Sequence, residues 1–201
     1  MARITTFLIL FLAVCFAFPL PSGAYTITFE TLTEGDFVTT QYSGLGVTFS
    51  NASVLTAGSL LNELEFPPHS GDNVVVDEGG SMTLLFSAPV LSVSGYFTYL
   101  VPLTLTAYDS MNNDITTVLS LFSSNMAQSG ETGSFPNELL TVSFAGGISR
   151  LVIAGDPSGT SFTLDDLTAT TPVTAVPEPG TLLLVAAGVA GIAAYGIRRR
   201  C

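Results

Sequence analysis

The chain has 201 residues, of which five are arginine, none is lysine and 16 are acidic, so its formal net charge is −11. Hydrophobic residues make up 47% of the chain, and its mean hydropathy is +0.55. A chain of this charge without lysine has no basic groove to neutralise phosphates, which excludes a nucleic-acid-binding protein. The length suits one domain with short appendages.

The first 24 residues have the features of a secretory signal peptide. Arg3 precedes an apolar run over residues 4–18, and Ser22-Gly23-Ala24 supplies the small side chains that signal peptidase requires. We predict export by the secretion machinery and cleavage between Ala24 and Tyr25. The alternative is an uncleaved anchor, although an apolar run of about 15 residues is shorter than the roughly 20 that a spanning helix needs.

The C-terminus combines three features in a fixed order. Pro177, Glu178 and Pro179 precede an apolar stretch over residues 181–197, and three arginines follow it. A helix over 181–197 is about 26 Å long, slightly less than a hydrocarbon core of about 30 Å. We predict a transmembrane helix over this stretch, with the arginines on the cytoplasmic side.

This tail resembles the PEP-CTERM sorting signal of Gram-negative bacteria over residues 176–200. The resemblance implies that a membrane-embedded exosortase recognises Pro177, Glu178 and Pro179 and then removes the tail. Two prolines suit that role because they stiffen an extended segment. Cys201 after the arginines departs from the pattern, and a permanent single-pass anchor is the alternative.

From these two ends we expect a protein exported across the inner membrane. It would first be a membrane-anchored precursor and then reside at the cell surface or in the extracellular matrix. The domain organisation that follows is a signal peptide (1–24), an extracytoplasmic domain (25–170), a linker (171–176) and the sorting signal (177–201).

The central region is acidic and lacks cysteine. Residues 25–176 contain 15 acidic residues and one base, Arg150, which gives a formal charge of −14. No disulfide can support this region, although about 150 residues can bury an adequate core without one.

Alternation of apolar and polar residues predicts an all-β fold, an antiparallel β-sandwich of the jelly-roll type. Only residues 60–65 suggest a helical turn, and no repeat of fixed period, such as the Thr-x-Thr array of an ice-binding solenoid, is visible. The ten predicted strands are 25–30, 45–50, 73–77, 81–86, 90–99, 103–107, 115–122, 139–144, 149–154 and 161–169.

Three short motifs resemble the galactose-binding-like jelly roll of carbohydrate-binding modules. They are Thr28-Phe29-Glu30 with Gly35 after it, His69-Ser70-Gly71, and Phe162-Thr-Leu-Asp165-Asp166-Leu167. The resemblance implies a structural calcium ion where the first and last strands meet, with side-chain ligands from Glu30 and Asp165 and carbonyl oxygens from residues 70–72. The alternative is that these acids are solvated and that the last motif is an ordinary core strand.

The last of these motifs contains a conflict in its alternation. Asp165 lies opposite Phe162 and Leu164 in a regular strand, so Asp166 would then point into the core. We predict a β-bulge here, which would also allow Leu167 to pack inside.

Residue types for catalysis are scarce. The region from 25 to 176 has one histidine, His69, no cysteine and no serine in a G-x-S-x-G setting, so we expect a protein that is not an enzyme. A pair of carboxylates for glycoside hydrolysis is formally available, but the sequence does not select one.

Aromatic side chains with polar neighbours are the usual platforms for sugars. The chain has no tryptophan, and Tyr96 and Tyr108 alternate with apolar neighbours, so both are expected to face solvent. Three functions follow as hypotheses: a structural or adhesive protein of the exopolysaccharide layer, a calcium-stabilised carbohydrate-binding module, and a hydrolase.

Overall fold

The computed structural model describes residues 22–172 and Gly188. The predicted signal peptide up to residue 21, the transmembrane helix over 181–197 and the Pro177-Glu178-Pro179 motif lie outside the described residues. Within residues 22–172 no helix is long and apolar enough to cross a membrane.

Residues 22–172 form one unit built almost entirely from antiparallel strands. In this part of the chain the one helix is a 3-10 turn, Ser43–Leu45, and the strand content confirms the predicted all-β class. The nine strands are β1 (Ser22–Ile27), β2 (Val47–Ser50), β3 (Ala52–Thr56), β4 (Asn73–Asp77), β5 (Met82–Tyr99), β6 (Thr104–Tyr108), β7 (Asp114–Leu119), β8 (Glu138–Ala154) and β9 (Phe162–Pro172).

The strand order is β3-β4-β9-β5-β8-β6-β7, with β1 also paired to β9 and β2 also paired to β5. Long strands change partners along their length: β5 pairs with β2 through residues 83–86 and with β9 through residues 92–99. Such strands, with register shifts between Leu85 and Ser92, are consistent with a β-sandwich.

The strand predictions differ from the structure in two respects. Two pairs of predicted strands, 81–86 with 90–99 and 139–144 with 149–154, are each one long strand, because a bulge lets the chain continue without a turn. Strand β3 is absent from the sequence prediction. Asn51, which precedes it, is a typical turn residue and adopts a left-handed φ of 56°.

Strand β1 begins at Ser22, three residues before the predicted cleavage point. Its first residues pair with the end of β9, Ser22 with Pro172 and Ala24 with Thr170, so Thr171 and Pro172 belong to a strand and not to the predicted linker. Cleavage after Ala24 would leave residues 25–27 to hold this edge.

The core is apolar and rich in aromatic rings. Phe29, Tyr42 and Phe49 pack edge to face with ring centroids 5.7–6.1 Å apart. Such pairs stabilise a core beyond the area that they bury.

Asp77 is a fully buried acid at the end of β4 that ties this strand to β9. Its Oδ1 accepts hydrogen bonds from the backbone N–H groups of Ser161 (2.7 Å) and Phe162 (3.0 Å), and its Oδ2 accepts one from the Ser161 hydroxyl (2.9 Å). Three donors therefore balance the cost of burying this carboxylate.

A second polar cluster anchors the loop between β7 and β8. The buried Tyr99 hydroxyl donates to Glu138 and accepts from the backbone N–H of Phe122 (3.2 Å). Burial first, and then the bond to Glu138, raise the pKa of Tyr99 to about 12.

We expect Asp77→Ala to lower the free energy of unfolding by about 3 kcal/mol or more, because three buried donors lose their acceptor and each costs about 1–3 kcal/mol. Urea unfolding of the full-length chain in mild detergent, followed by circular dichroism, measures this. Asp114→Ala, at an exposed acid of β7, is the control and should change the value by less than about 0.5 kcal/mol. Equal effects of the two substitutions would contradict the structural role of Asp77.

We expect the stability difference between wild type and Tyr99→Phe to shrink as the pH rises from about 10 to about 12. The folded state retains the Tyr99 proton in this range while the unfolded chain loses it, so the contribution of Tyr99 is complete below pH 10 and is lost above it. Urea midpoints of both proteins across this range test the claim. Tyr25 and Tyr42, whose pKa values burial also raises, are present in both proteins and cancel; a constant difference would contradict the prediction.

Candidate functional site

The turn after His69 collects carboxylates from distant parts of the chain. Asp165 of β9 is 1% exposed, and its Oδ2 accepts hydrogen bonds from the backbone N–H groups of His69 (2.8 Å) and Ser70 (2.9 Å). Its Oδ1 accepts from the N–H of Asp166 (2.7 Å). Three amides therefore hold one buried carboxylate.

Glu30, three residues after β1, binds the other end of the same turn. It accepts hydrogen bonds from the backbone N–H groups of Asp72 (3.2 Å) and Asn73 (2.9 Å). A Cβ atom on Gly71 would lie 2.3 Å from Glu30 Cδ, and Gly71 has a φ of 56°, so glycine is needed here for space and for conformation. The structure thus brings Glu30 and Asp165, the two acids that the jelly-roll resemblance singles out, to one turn.

The predicted bulge in β9 is present. Ser94 pairs with Thr168 and Tyr96 with Asp165, so β9 has one extra residue, and Asp166 has a φ of 46°. Leu167 is fully buried as a result. The bulge turns Asp166 away from the core and towards the turn.

Asp166 completes the cluster through its side chain. Its Oδ2 lies 2.7 Å from His69 Nδ1, and its Oδ1 accepts a hydrogen bond from the Ser70 hydroxyl (2.8 Å). Burial raises the pKa of Asp165, the N–H of Ser70 opposes that shift, and the neighbouring charge of Asp166 adds to it. The serine donates to the aspartate and not to the histidine, so the cluster is not arranged to activate a nucleophile.

The backbone N–H groups bound to Glu30 and Asp165 occupy the oxygens that the predicted calcium site would use. All four carboxylate oxygens of Glu30 and Asp165 already accept backbone N–H groups, whose positive ends repel a cation. Among residues 22–172 no group of three or more histidine, cysteine, aspartate and glutamate side chains is placed to hold a metal ion. The calcium site therefore stays a prediction, and it requires residues 70–72 to present carbonyl oxygens in place of these N–H groups.

Tyr96 has a partner that the sequence analysis missed. The imidazole of His69 stacks on its ring, with centroids 3.4 Å apart and planes inclined by 10°. Tyr96 is half-buried, whereas the His69 side chain remains 35% exposed. Since these residues are 27 positions apart, no local signal could have revealed the pair.

Tyr108 lies in a different environment. The guanidinium of Arg150 is 3.8 Å from its ring centroid, and Arg150 also donates to Asn112. Tyr108 pairs with Arg150 on β8, whereas Tyr96 pairs with Leu139 at the start of that strand. The two predicted sugar-contacting tyrosines are therefore not brought together.

The similarity of the chain to solved structures is low. The K2 cleaved adhesin domain of Lys-gingipain is 15% identical, with a TM-score of 0.48 and coverage of 73% of this chain and 99% of that one. A DUF4465 family protein from Bacteroides caccae is 10% identical (TM-score 0.45; 73% and 98%). A CBM29-2 carbohydrate-binding module is 11% identical (TM-score 0.40; 78% and 99%). TM-scores below 0.5 support no conclusion about ligand or activity.

The sequence comparisons concern the C-terminus. No curated protein sequence matches the chain. Residues 175–200 match the model of the PEP-CTERM protein-sorting motif, which confirms the sorting signal predicted from the Pro-Glu-Pro, the apolar stretch and the arginines. The chain carries a PEP-CTERM protein-sorting motif that follows an all-β unit in the sequence.

Proposed function

We propose that the protein is exported and then processed by an exosortase, and that it serves a structural or adhesive role in the exopolysaccharide layer at the cell surface. The observation that carries this proposal is the PEP-CTERM motif at residues 175–200. The motif implies a secreted precursor that is held in the membrane by its tail. Signal peptidase and the secretion machinery are the further partners of this route.

The arrangement of the acids supports a non-catalytic role. Asp77, Asp165 and Glu30 each accept two or more backbone N–H groups and hold strand ends or turns in place. Carboxylates committed in this way are poorly placed to exchange protons with a substrate. The hydrolase hypothesis therefore has the least support among the three.

A calcium-stabilised carbohydrate-binding module is the second candidate. It is supported by the convergence of Glu30 and Asp165 on one turn and by the half-buried Tyr96, which stacks on His69 of that turn. In this proposal calcium would displace the amide donors, and residues 70–72 would rearrange to offer carbonyl oxygens.

For the sorting signal, we expect Pro177→Ala with Pro179→Ala to block removal of the tail, because the stiff extended segment that the exosortase recognises is lost. The variant should accumulate in the membrane fraction, heavier than the processed protein by the mass of the C-terminal segment. Intact-mass spectrometry of cell fractions measures this. The control, Pro102→Ala with Pro157→Ala at two exposed loop prolines, should be processed normally; identical masses for all three chains would indicate a permanent anchor.

For the metal, we expect saturating calcium to raise the free energy of unfolding relative to EDTA, by about 2.7 kcal/mol at a hundredfold excess over Kd. Glu30→Gln and Asp165→Asn should each abolish the increment, and Asp114→Asn should retain it. Thermal unfolding of the purified full-length chain measures the effect. If calcium produces no change in the wild type, the calcium proposal fails and the amide-held turn stands without a metal.

A further inference from the structure

The strand register places hydroxyl side chains from four strands in one row. Thr26 of β1 pairs with Thr168 of β9, Thr168 pairs with Ser94 of β5, and Ser94 pairs with Thr141 of β8. The hydroxyl oxygens of Thr26 and Thr168 lie 2.7 Å apart. Neighbours in such a row are spaced by about 4.8 Å, the distance between strands.

A second row lies two residues further along each strand. Ala24 pairs with Thr170, Thr170 with Ser92, and Ser92 with Ser143. Since alternate residues of a strand share a face, the two rows lie on the same side of the sheet, about 6.7 Å apart. Residues between them, such as Val93, Val142 and Ala169, are buried in the core, so both rows face outwards.

We call these two rows the hydroxyl face. Its members are partly or fully exposed, and none is charged. Strands β5, β8 and β9 each contribute two hydroxyl residues that are two positions apart, but these pairs have no fixed period in the sequence because the strands are neighbours only in the fold. The members are Thr26, Ser92, Ser94, Thr141, Ser143, Thr168 and Thr170.

An aromatic pair ends the hydroxyl face on one side. After Ser92 and Ser94, the next residue of β5 on the same face is Tyr96. It pairs with Leu139 of β8, and the imidazole of His69 stacks on its ring. Leu139 is 53% exposed, and the His69 side chain is also open to solvent. The polar rows thus continue into an exposed apolar and aromatic end.

We propose that the hydroxyl face binds an uncharged polysaccharide that lies across the four strands, with the His69–Tyr96 pair against one of its sugar rings. Serine and threonine hydroxyls donate and accept hydrogen bonds, as sugar hydroxyls do, and the ring pair offers an apolar surface to the C–H face of a sugar. This inference rests on the proposed role in the exopolysaccharide layer and specifies the class of glycan.

The negative charge of the domain favours a neutral glycan over an acidic one. Residues 22–172 carry 15 acids and one base, Arg150. The guanidinium of Arg150 lies over the ring of Tyr108. A polyanionic glycan would be repelled by this charge and would find no cation on the hydroxyl face. The same self-repulsion disfavours a second copy of the chain as the occupant.

The test is retention of the full-length chain, purified in mild detergent, on insoluble polysaccharides. The neutral probes are cellulose, β-mannan and chitin, and the acidic probes are alginate and polygalacturonate beads. We expect saturable retention on at least one neutral probe. Thr141→Glu and Ser143→Glu, at exposed positions of the two rows, should each weaken it about tenfold or more, since a buried unpaired charge opposes binding.

The control is Thr117→Glu, the same change at an exposed threonine of β7, which should bind within about twofold of wild type, with urea midpoints showing that all variants fold. Retention on acidic beads alone, on none of the probes, or equally by all variants would overturn the proposal. Two other outcomes would overturn it if no glycan retains the chain: adsorption of the protein to ice, and self-association that Thr141→Glu abolishes. Binding does not depend on processing: a chain that is sorted but not retained overturns this inference alone, and a chain that is retained but not sorted overturns only the sorting proposal.

Discussion

Backbone amides perform in this domain the neutralising role that cations usually perform. Fifteen acids share one base, so ion pairs cannot satisfy them. Asp77, Asp165 and Glu30 instead accept N–H groups at the points where β4, β9 and the turn after His69 meet. Hydrogen bonds to a carboxylate are stronger than those between neutral groups, and here they join the end of β4 to the start of β9 and hold the turn after His69.

This constraint also positions the candidate site. Asp165 and Glu30 fix the turn, the turn carries His69, and His69 covers Tyr96 at the end of the hydroxyl face. The bulge at Asp166 serves the same arrangement, because it supplies a third carboxylate to the turn while returning Leu167 to the core. Glu30, Asp165 and Asp166 thus hold the turn that lies beside the hydroxyl face.

Local pattern predicted the fold class well because alternation is a property of each strand. It also predicted the bulge, since Asp165 and Asp166 cannot both avoid the core in a regular strand. It divided β5 and β8 into two strands each, because a bulge and a turn have similar composition. The His69–Tyr96 pair and the rows through Thr168 and Ser94 depend on which strands become neighbours, and that information is not local.

The position of β9 has a consequence for the order in which the chain folds. This strand pairs with β1, β4 and β5, yet it is the last strand of the described residues. In a chain that crosses a membrane from its N-terminus, β1 and β4 emerge before the strand that joins them to β5, and contacts so distant in sequence form slowly. The sheet is complete only once residues 162–172 are in place, and the sorting motif at residues 175–200 follows almost directly. The joining of β1 and β4 to the rest of the sheet would therefore be the last step of folding, after β5, β8, β6 and β7 have paired with one another.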